Sequence, residues 1–562
     1  MKKIIKTGMI VMVLLAFLIP LSVVMEDAQD HADQSAEALV RPILDIHNQV
    51  VADKAQEGVP VGDLIEMEEA WAIEDARQES EAPLVTAMLN GNDVLGYDAE
   101  DNTFYCTIGM NNAEKWPELF LRARNVPEDL EIRLVDDYTY DWCSDAIRDG
   151  YRYEMLAYTA EEYSYFGIVF TGLPLVTLHV EEGIELTEEY VPARASVAAA
   201  GYEAIDSAAQ IHTRGGGYPR LISKKSYRIE FHTINEKGRD KQQDHAVLGM
   251  EPDSDWLLVG NPTDDSCVRN HLCWELWRNW NEGGYAPMLL ESQLVEVFLN
   301  NDYIGIYQLM QRVDVEEEIV KMGGNLNTDY AFRIIREPNI DPNRAHRNYM
   351  ALSNLIIENR YAPPSARNTE KTLNLVDDYA LMNQRDLQIS MEEFAQIVEE
   401  RVDIEALISY WLFFHAAEMS DDNVHNNLYI WVTRENGKYV YRLSPWDMDY
   451  GLSARTWDEG KVYGIDLTMF MATRILEHNL GNSRQMIHDL WKEKRSTLLT
   501  DDAVYQWIHE KEELLNASGA YPRESLRWYG EAKELDLALI SANEVEHMYT
   551  VEKFLNELWP IE

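Results

Sequence analysis

Apolar and polar positions alternate with a period of two along Lys225-Ser226-Tyr227-Arg228-Ile229-Glu230-Phe231. That puts Tyr227, Ile229 and Phe231 on one face and predicts a strand. Leu173 to Val180 reads as a second strand. Val295-Glu296-Val297-Phe298-Leu299 and Tyr303-Ile304-Gly305-Ile306-Tyr307 flank the turn Asn300-Asn301-Asp302 and predict a hairpin. Upstream, Val85–Leu89, Thr103–Ile108, Ile132–Val135 and Tyr165–Phe170 are short strands separated by turn signals such as Asn90-Gly91-Asn92-Asp93. They predict a small β-sandwich-like module over residues 83–171. Past residue 314 the period lengthens. Ile404, Leu407, Ile408, Trp411 and His415 form one stripe of a helix over Ile404–Glu418, and helical segments occupy 501–558. A sheet-rich half followed by a helix-rich half, with a helix around Asn270–Trp280 between strands, predicts a bilobal α+β domain over 172–500 with a C-terminal helical extension over 501–562.

The first residues change the picture. Lys2, Lys3 and Lys6 precede an apolar run from Met9 to Met25, broken by Pro20 and Ser22. This is the pattern of a signal peptide or an N-terminal membrane anchor, and it predicts a secreted or membrane-anchored, extracytoplasmic protein. Residues 26–82 carry 16 Asp and Glu against 3 Lys and Arg, which suits an acidic helical stalk or linker. Over all 562 residues the formal net charge is -49, a surface that repels nucleic acid and favours cations and Lys/Arg-rich partners. Four cysteines are too few for a disulfide scaffold. Cys106 and Cys143 are able to pair in an oxidising compartment, whereas Cys267 and Cys273 lie six apart on different sides of a helix.

The chemistry concentrates between Met419 and Gly451. The helix gives way to the polar loop Ser420-Asp421-Asp422-Asn423-Val424-His425-Asn426-Asn427. A hairpin follows through Leu428–Val432, Glu435-Asn436-Gly437-Lys438 and Tyr439–Leu443. It delivers Ser444-Pro445-Trp446-Asp447-Met448-Asp449-Tyr450-Gly451. A hairpin brings its ends together, so Asp422 and Asn427 are expected near Asp447 and Asp449. Convergent carboxylates and an amide suit a hard cation held through phosphates. The offset from Asp422 to Asn427 equals that of a protein-kinase catalytic loop, and Asp447 follows the hairpin where a kinase metal-binding Asp stands.

Upstream, Arg214-Gly215-Gly216-Gly217-Tyr218-Pro219-Arg220 precedes Lys224-Lys225. A glycine turn lets backbone amides approach phosphates, and a lysine on the next strand neutralises them. Lys225 shares the face of Tyr227 and is the expected nucleotide lysine, with Lys224 pointing the other way. Glu275, on the helix around Asn270, is the candidate to orient that lysine.

Together these blocks resemble the CotH (spore-coat protein H) kinase family. Leu248-Gly249-Met250 through Asp255-Trp256-Leu257-Leu258, Arg269-Asn270, the Val295–Tyr307 hairpin and Pro445-Trp446-Asp447-Met448-Asp449 fit its pattern in order. The resemblance implies an atypical protein-kinase-like fold that transfers the γ-phosphate of ATP to Ser or Thr of spore-coat or envelope proteins, with Mg²⁺ or Mn²⁺. It carries the catalytic Asp to Asp422 (or to Asp421 if the loop register slips by one), the metal-binding Asp to Asp447, with Asn427 and Asp449 beside it, and the nucleotide lysine to Lys225. Arg214, Gly215, Gly216 and Gly217 would cover the phosphates. Two positions depart from the family: the glycine loop has three glycines in place of Gly-Asn-Ser-Ser, and Gln311 replaces an acid. The competing readings are a catalytically inactive surface adhesin on the same fold, a glycosyltransferase using Asp447-Met448-Asp449, and a calcium site. The last two lack, respectively, a βαβ nucleotide unit and enough local oxygen ligands.

Overall fold

A computed structural model describes residues 41–110, 119–135, 140, 142–215, 223–282, 286–336, 345–349, 355–366, 370–419, 427–452 and 469–561. The expected signal or anchor, Gly216, Gly217, Asp421 and Asp422 lie outside the described residues. No helix among those described is long and apolar enough to cross a membrane.

Residues 59–171 build two sheets. Val59–Pro60, Leu121–Ala123, Met88–Asn90 and Asp93–Val94 form one. Gly96–Asp98, Thr103–Thr107, Glu162–Thr171, Arg152–Tyr158 and Glu131–Leu134 form the other, with Gln78–Glu79 added beside Glu162. Phe104, Ile168 and Phe170 meet Met88, Leu121 and Ala123 in one core. Cys106 and Cys143 are separate buried thiols here. The described part of the acidic segment, residues 41–82, packs against the chain downstream. A helix over 41–54 buries Ile43 and Val50. It is fastened downstream by Asp53 on Arg194 at 2.5 Å and by Lys54 on the Asp206 carbonyl at 2.9 Å. Composition reports a solvated face, but apolar residues at intervals gave the segment a second face to bury.

The next unit comprises β1 (Leu175–Val180), β2 (Val191–Ala198), β3 (Ile205–Arg214), β4 (Ser226–Ile234), β5 (Asp240–Gln242), β6 (Asp255–Val259), β7 (Ser292–Leu299) and β8 (Asp302–Gln311). Their order is β3-β2-β1-β7-β8-β6-β4-β5, and β3 also pairs with β4. Seven strands therefore close on themselves as a barrel, which removes the sheet edges. Tyr227, Ile229 and Phe231 all point into it, as their alternation predicts, with Trp256, Tyr307 and Leu309 opposite the small Ala193 and Ala195. Only the β1–β7 pairing is parallel. The predicted hairpin is β7–β8, and both Asn300 (φ 51) and Asn301 (φ 63) take the left-handed turn conformation.

The remaining chain is α+β. Helix α1 (Arg269–Trp280) leaves the barrel. A five-stranded antiparallel sheet follows, in the order β10-β11-β9-β12-β13, from β9 (Tyr330–Arg336), β10 (Ala345–Tyr349), β11 (Leu355–Tyr361), β12 (Leu428–Glu435) and β13 (Lys438–Pro445). Helix α2 (Ile404–Ala416) starts at Asp403, whose carboxylate accepts the Ala406 amide at 3.0 Å. Helices α3 (Ser483–Ser496), α4 (Asp501–Ala517), α5 (Ala520–Tyr529) and α6 (Ala538–Leu558) complete it. Ile508 and Leu515 of α4, Ala520 of α5, and Met548 and Leu555 of α6 belong to the same core as Trp277, Trp411 and Trp431. The segment read as an extension thus packs into the body of the domain.

Candidate functional site

The β12–β13 register sets the site. Leu428 pairs with Pro445, so the residues just outside the hairpin, Asn427 and Trp446, stand opposite each other. The Trp446 amide donates to the Asn427 carbonyl at 2.9 Å, and Asn427 Nδ2 lies 3.4 Å from Asp447 Oδ2. Both Asn427 (φ 50) and Asp447 (φ 57) adopt the left-handed region, an uncommon conformation for a non-glycine residue and one concentrated at functional sites. Asn261, Cys267, Glu418 and Leu452, on the surrounding loops, share it.

The following turn is held from beneath. Asn270, at the start of α1, accepts the Met448 amide on Oδ1 at 2.9 Å and donates to Gln308 Oε1 at 2.8 Å. Gly451 closes against Cys273 Sγ, where a Cβ would come within 2.6 Å, and against the Ala417 carbonyl. The loop after β6 completes the wall. Thr263 donates to Asp449 at 2.9 Å, and Asp264 accepts the Arg269 amide at 2.9 Å and pairs with its guanidinium. Burial, and then the nearby Asp447 carboxylate, push the Asp449 carboxyl well above the usual carboxylate range. Two like-charged groups so arranged favour a cation between them, as hard-ion sites do.

Arg214 at the end of β3 brings its guanidinium to 5.8 Å from the Trp446 ring centroid and within electrostatic reach of Asp447. Gly215 follows it with φ +112, open only to glycine. The structure thus gathers Arg214, Asn427, Asp447 and Asp449. The donor set is all oxygen and suits Mg²⁺ or Mn²⁺, which bind through one or two carboxylates together with substrate phosphates. Among the described residues no three His, Cys, Asp or Glu side chains converge.

A comparison with protein families bears on these residues. The family described as CotH kinase protein matches residues 211–557, more than half of the chain. The chain belongs to the CotH kinase family. The match begins on β3, just before Arg214, and runs into α6, so it takes in the four gathered residues and the C-terminal helices alike. No curated protein matches the chain significantly.

Lys225 and Glu275 also fall within this CotH kinase domain. Lys225 stands half-buried just ahead of β4, outside the alternation that was to orient it. Glu275 turns toward α4: Lys511 reaches it at 2.7 Å, Trp507 Nε1 at 3.2 Å and His271 at 3.3 Å. Burial alone would raise its carboxyl, but His271 and Lys511 outweigh it and bring it down to about 2. Asn270, Thr263 and Asp264 were missed as site residues, although the Arg269-Asn270 pair was visible in the family pattern. A separate cavity of about 460 Å³ at the C-terminal end of α1, lined by Trp277, Trp280, Arg442 and Lys494 among others, shares none of these residues.

Proposed function

We propose that this CotH-family chain is an ATP- and divalent-metal-dependent protein kinase that transfers the γ-phosphate to Ser or Thr of spore-coat or cell-envelope proteins. The observation that carries the reading is the juxtaposition of Asn427 and Asp447 at 3.4 Å beside the buried Asp449. In this reading Asp447, Asp449 and Asn427 hold Mg²⁺ or Mn²⁺, which neutralises phosphate charge when bound. Arg214 meets the phosphates from the barrel side, with the glycine loop over them. Asp422 orients the acceptor hydroxyl and takes its proton. The net charge of -49 favours Lys/Arg-rich, Ser-containing acceptors. The N-terminal apolar run supports an extracytoplasmic location.

The test is incubation of the chain lacking residues 1–25 with labelled ATP and Mg²⁺ or Mn²⁺, beside Asp447→Ala and Asp422→Ala. Label entering the protein or a basic Ser-rich acceptor, and lost in both variants, is the expected result. Neither transfer nor nucleotide binding by the parent would leave a surface binding protein on this fold.

A further inference from the structure

The lysine expected to face away from the site is the buried one. Lys224 is 6 % exposed, and its ammonium lies 2.5 Å from Glu524 Oε1, a partner 300 residues later and itself 1 % exposed. Glu524 sits on α5, which packs across β8. Its second oxygen accepts the Ile306 amide at 2.6 Å, and Trp528 Nε1 donates to the Ile304 carbonyl at 3.3 Å. Gly305 has φ +102, and a Cβ there would collide with the Glu524 carboxylate. Gly305, in the β8 motif Gly305-Ile306-Tyr307, is therefore the residue that admits this carboxylate. The tyrosine of the same motif, Tyr307, lies under the ammonium with its centroid 5.2 Å away.

This pair stands against the site described above. Gly260, on the loop that carries Thr263 and Asp264, leaves room beside Lys224: a Cβ there would come 3.5 Å from Lys224 Cγ and 3.0 Å from the Lys225 carbonyl. Asp264 acts electrostatically on both Lys224 and Asp449. Next along, Asn261 is 4 % exposed, and its side-chain oxygen has no hydrogen-bond partner among the described residues. A buried ammonium, an unpartnered carboxamide oxygen and the carboxylate turn thus border one loop, whereas Glu275 is committed to α4 on the far part of α1.

We propose that Lys224 is the lysine that meets the nucleotide phosphates, and that Glu524 on α5 is its positioning residue. The proposal rests on the phosphotransferase reading above and adds its lysine and the helix that orients it. A helical glutamate holding a strand lysine is a requirement of kinase chemistry. Here the helix comes from the C-terminal segment rather than from the one after the lysine strand.

The test uses the chain with its barrel, N-terminal module and C-terminal helices intact. An ATP derivative carrying an amine-reactive acyl phosphate is added with Mn²⁺, and the modified lysine is mapped by mass spectrometry. The expected tag is on Lys224 and disappears with excess ATP. In parallel, Lys224→Met/Glu524→Gln removes both buried charges together, so the fold is kept. This variant is expected to unfold within a few degrees of the parent yet to transfer label slower by on the order of 100-fold. Glu524→Gln alone is expected to raise KM for ATP without changing KM for the acceptor. A tag on Lys225 with Lys224 untouched, or a folded double variant working at the parental rate, overturns the proposal while the kinase reading stands. No tag on either lysine and no nucleotide binding by the parent removes both. Because the tag is read on the unaltered sequence, misfolding of a variant does not rescue the idea.

Discussion

Asn270 Oδ1 accepts the Met448 amide at 2.9 Å, which fixes the turn between Asp447 and Asp449 to the first residues of α1. The same carboxamide donates to Gln308, which in turn donates to Ser292, so α1, β7, β8 and the carboxylate turn form one buried polar chain. Such chains hold geometry firmly only while every member is satisfied. Asn270→Ala leaves the Met448 amide and the Gln308 oxygen without partners, at about 1–3 kcal/mol for each buried group. Denaturant unfolding is expected to show a loss in that range. Transfer should fall further than stability explains, because Asp447 loses its support. Parental activity in a measurably destabilised variant would separate Asn270 from the site.

Asp447 and Asp449 repel one another in the absence of a cation. Asp447→Asn removes one charge and lets the Asp449 carboxyl move back toward the ordinary range. Without metal, the variant is expected to melt at or slightly above the parental temperature, by about 1 kcal/mol of relief at most. With Mn²⁺ the parent should gain stability that the variant does not, and transfer by the variant should be lost. Calorimetry with and without Mn²⁺ reads both effects; equal gains in the two proteins would argue that Asp447 holds no metal.

Arg523, beside Glu524 on α5, binds a different carboxylate. Its guanidinium grips Glu296 at 2.8 and 2.9 Å and Thr171 Oγ1 at 2.9 Å, and Glu296 is fully buried. Arg523→Met strands that charge and is expected to cost about 3–5 kcal/mol. Adding Glu296→Gln should recover much of it. Urea midpoints for the single and double variants measure the difference. Thr171 ends the N-terminal module, so the single variant should also loosen that module from α5, seen as faster amide exchange in Glu162–Thr171.

Glu544 on α6 is fully buried, and neither carboxylate oxygen has a hydrogen-bond partner among the described residues. Burial, and then the charge of Glu418, push its carboxyl well above the ordinary 4.5. The unfolded chain therefore releases this proton near 4.5, while the folded chain keeps it to higher pH. Stability from this group is full below 4.5 and falls as pH rises toward the folded value. Glu544→Gln is expected to melt higher than the parent at pH 8 and about equally at pH 4. A difference between the two proteins that does not change with pH would contradict this.

Local pattern went a long way in this chain. The alternation at Tyr227, Ile229 and Phe231, the Asn300-Asn301 turn and the stripe on α2 each place side chains by backbone periodicity alone, which needs no distant partner. The hairpin between Leu428 and Pro445 belongs with them. Its register follows from a tight turn, and so the meeting of Asn427 with Asp447 was legible without coordinates. The ordered motifs also sufficed for the family.

Other features depend on contacts that periodicity does not encode. Alternation along β3 and β4 reveals a buried face but not that the two strands pair and close a barrel. It also stops at Ser226, so it could not assign faces to Lys224 and Lys225, which lie in the bend before the strand. Glu275 looked free to serve a lysine until α4 brought Lys511 and Trp507 against it. Glu524 had no visible role in the sequence, because its partner lies 300 residues earlier and only the docking of α5 on β8 joins them. The sequence by itself determined the elements, the carboxylate turn and the family. Tertiary structure alone decided which buried charges meet, because an ion pair is selected by desolvation and packing between distant segments rather than by local spacing.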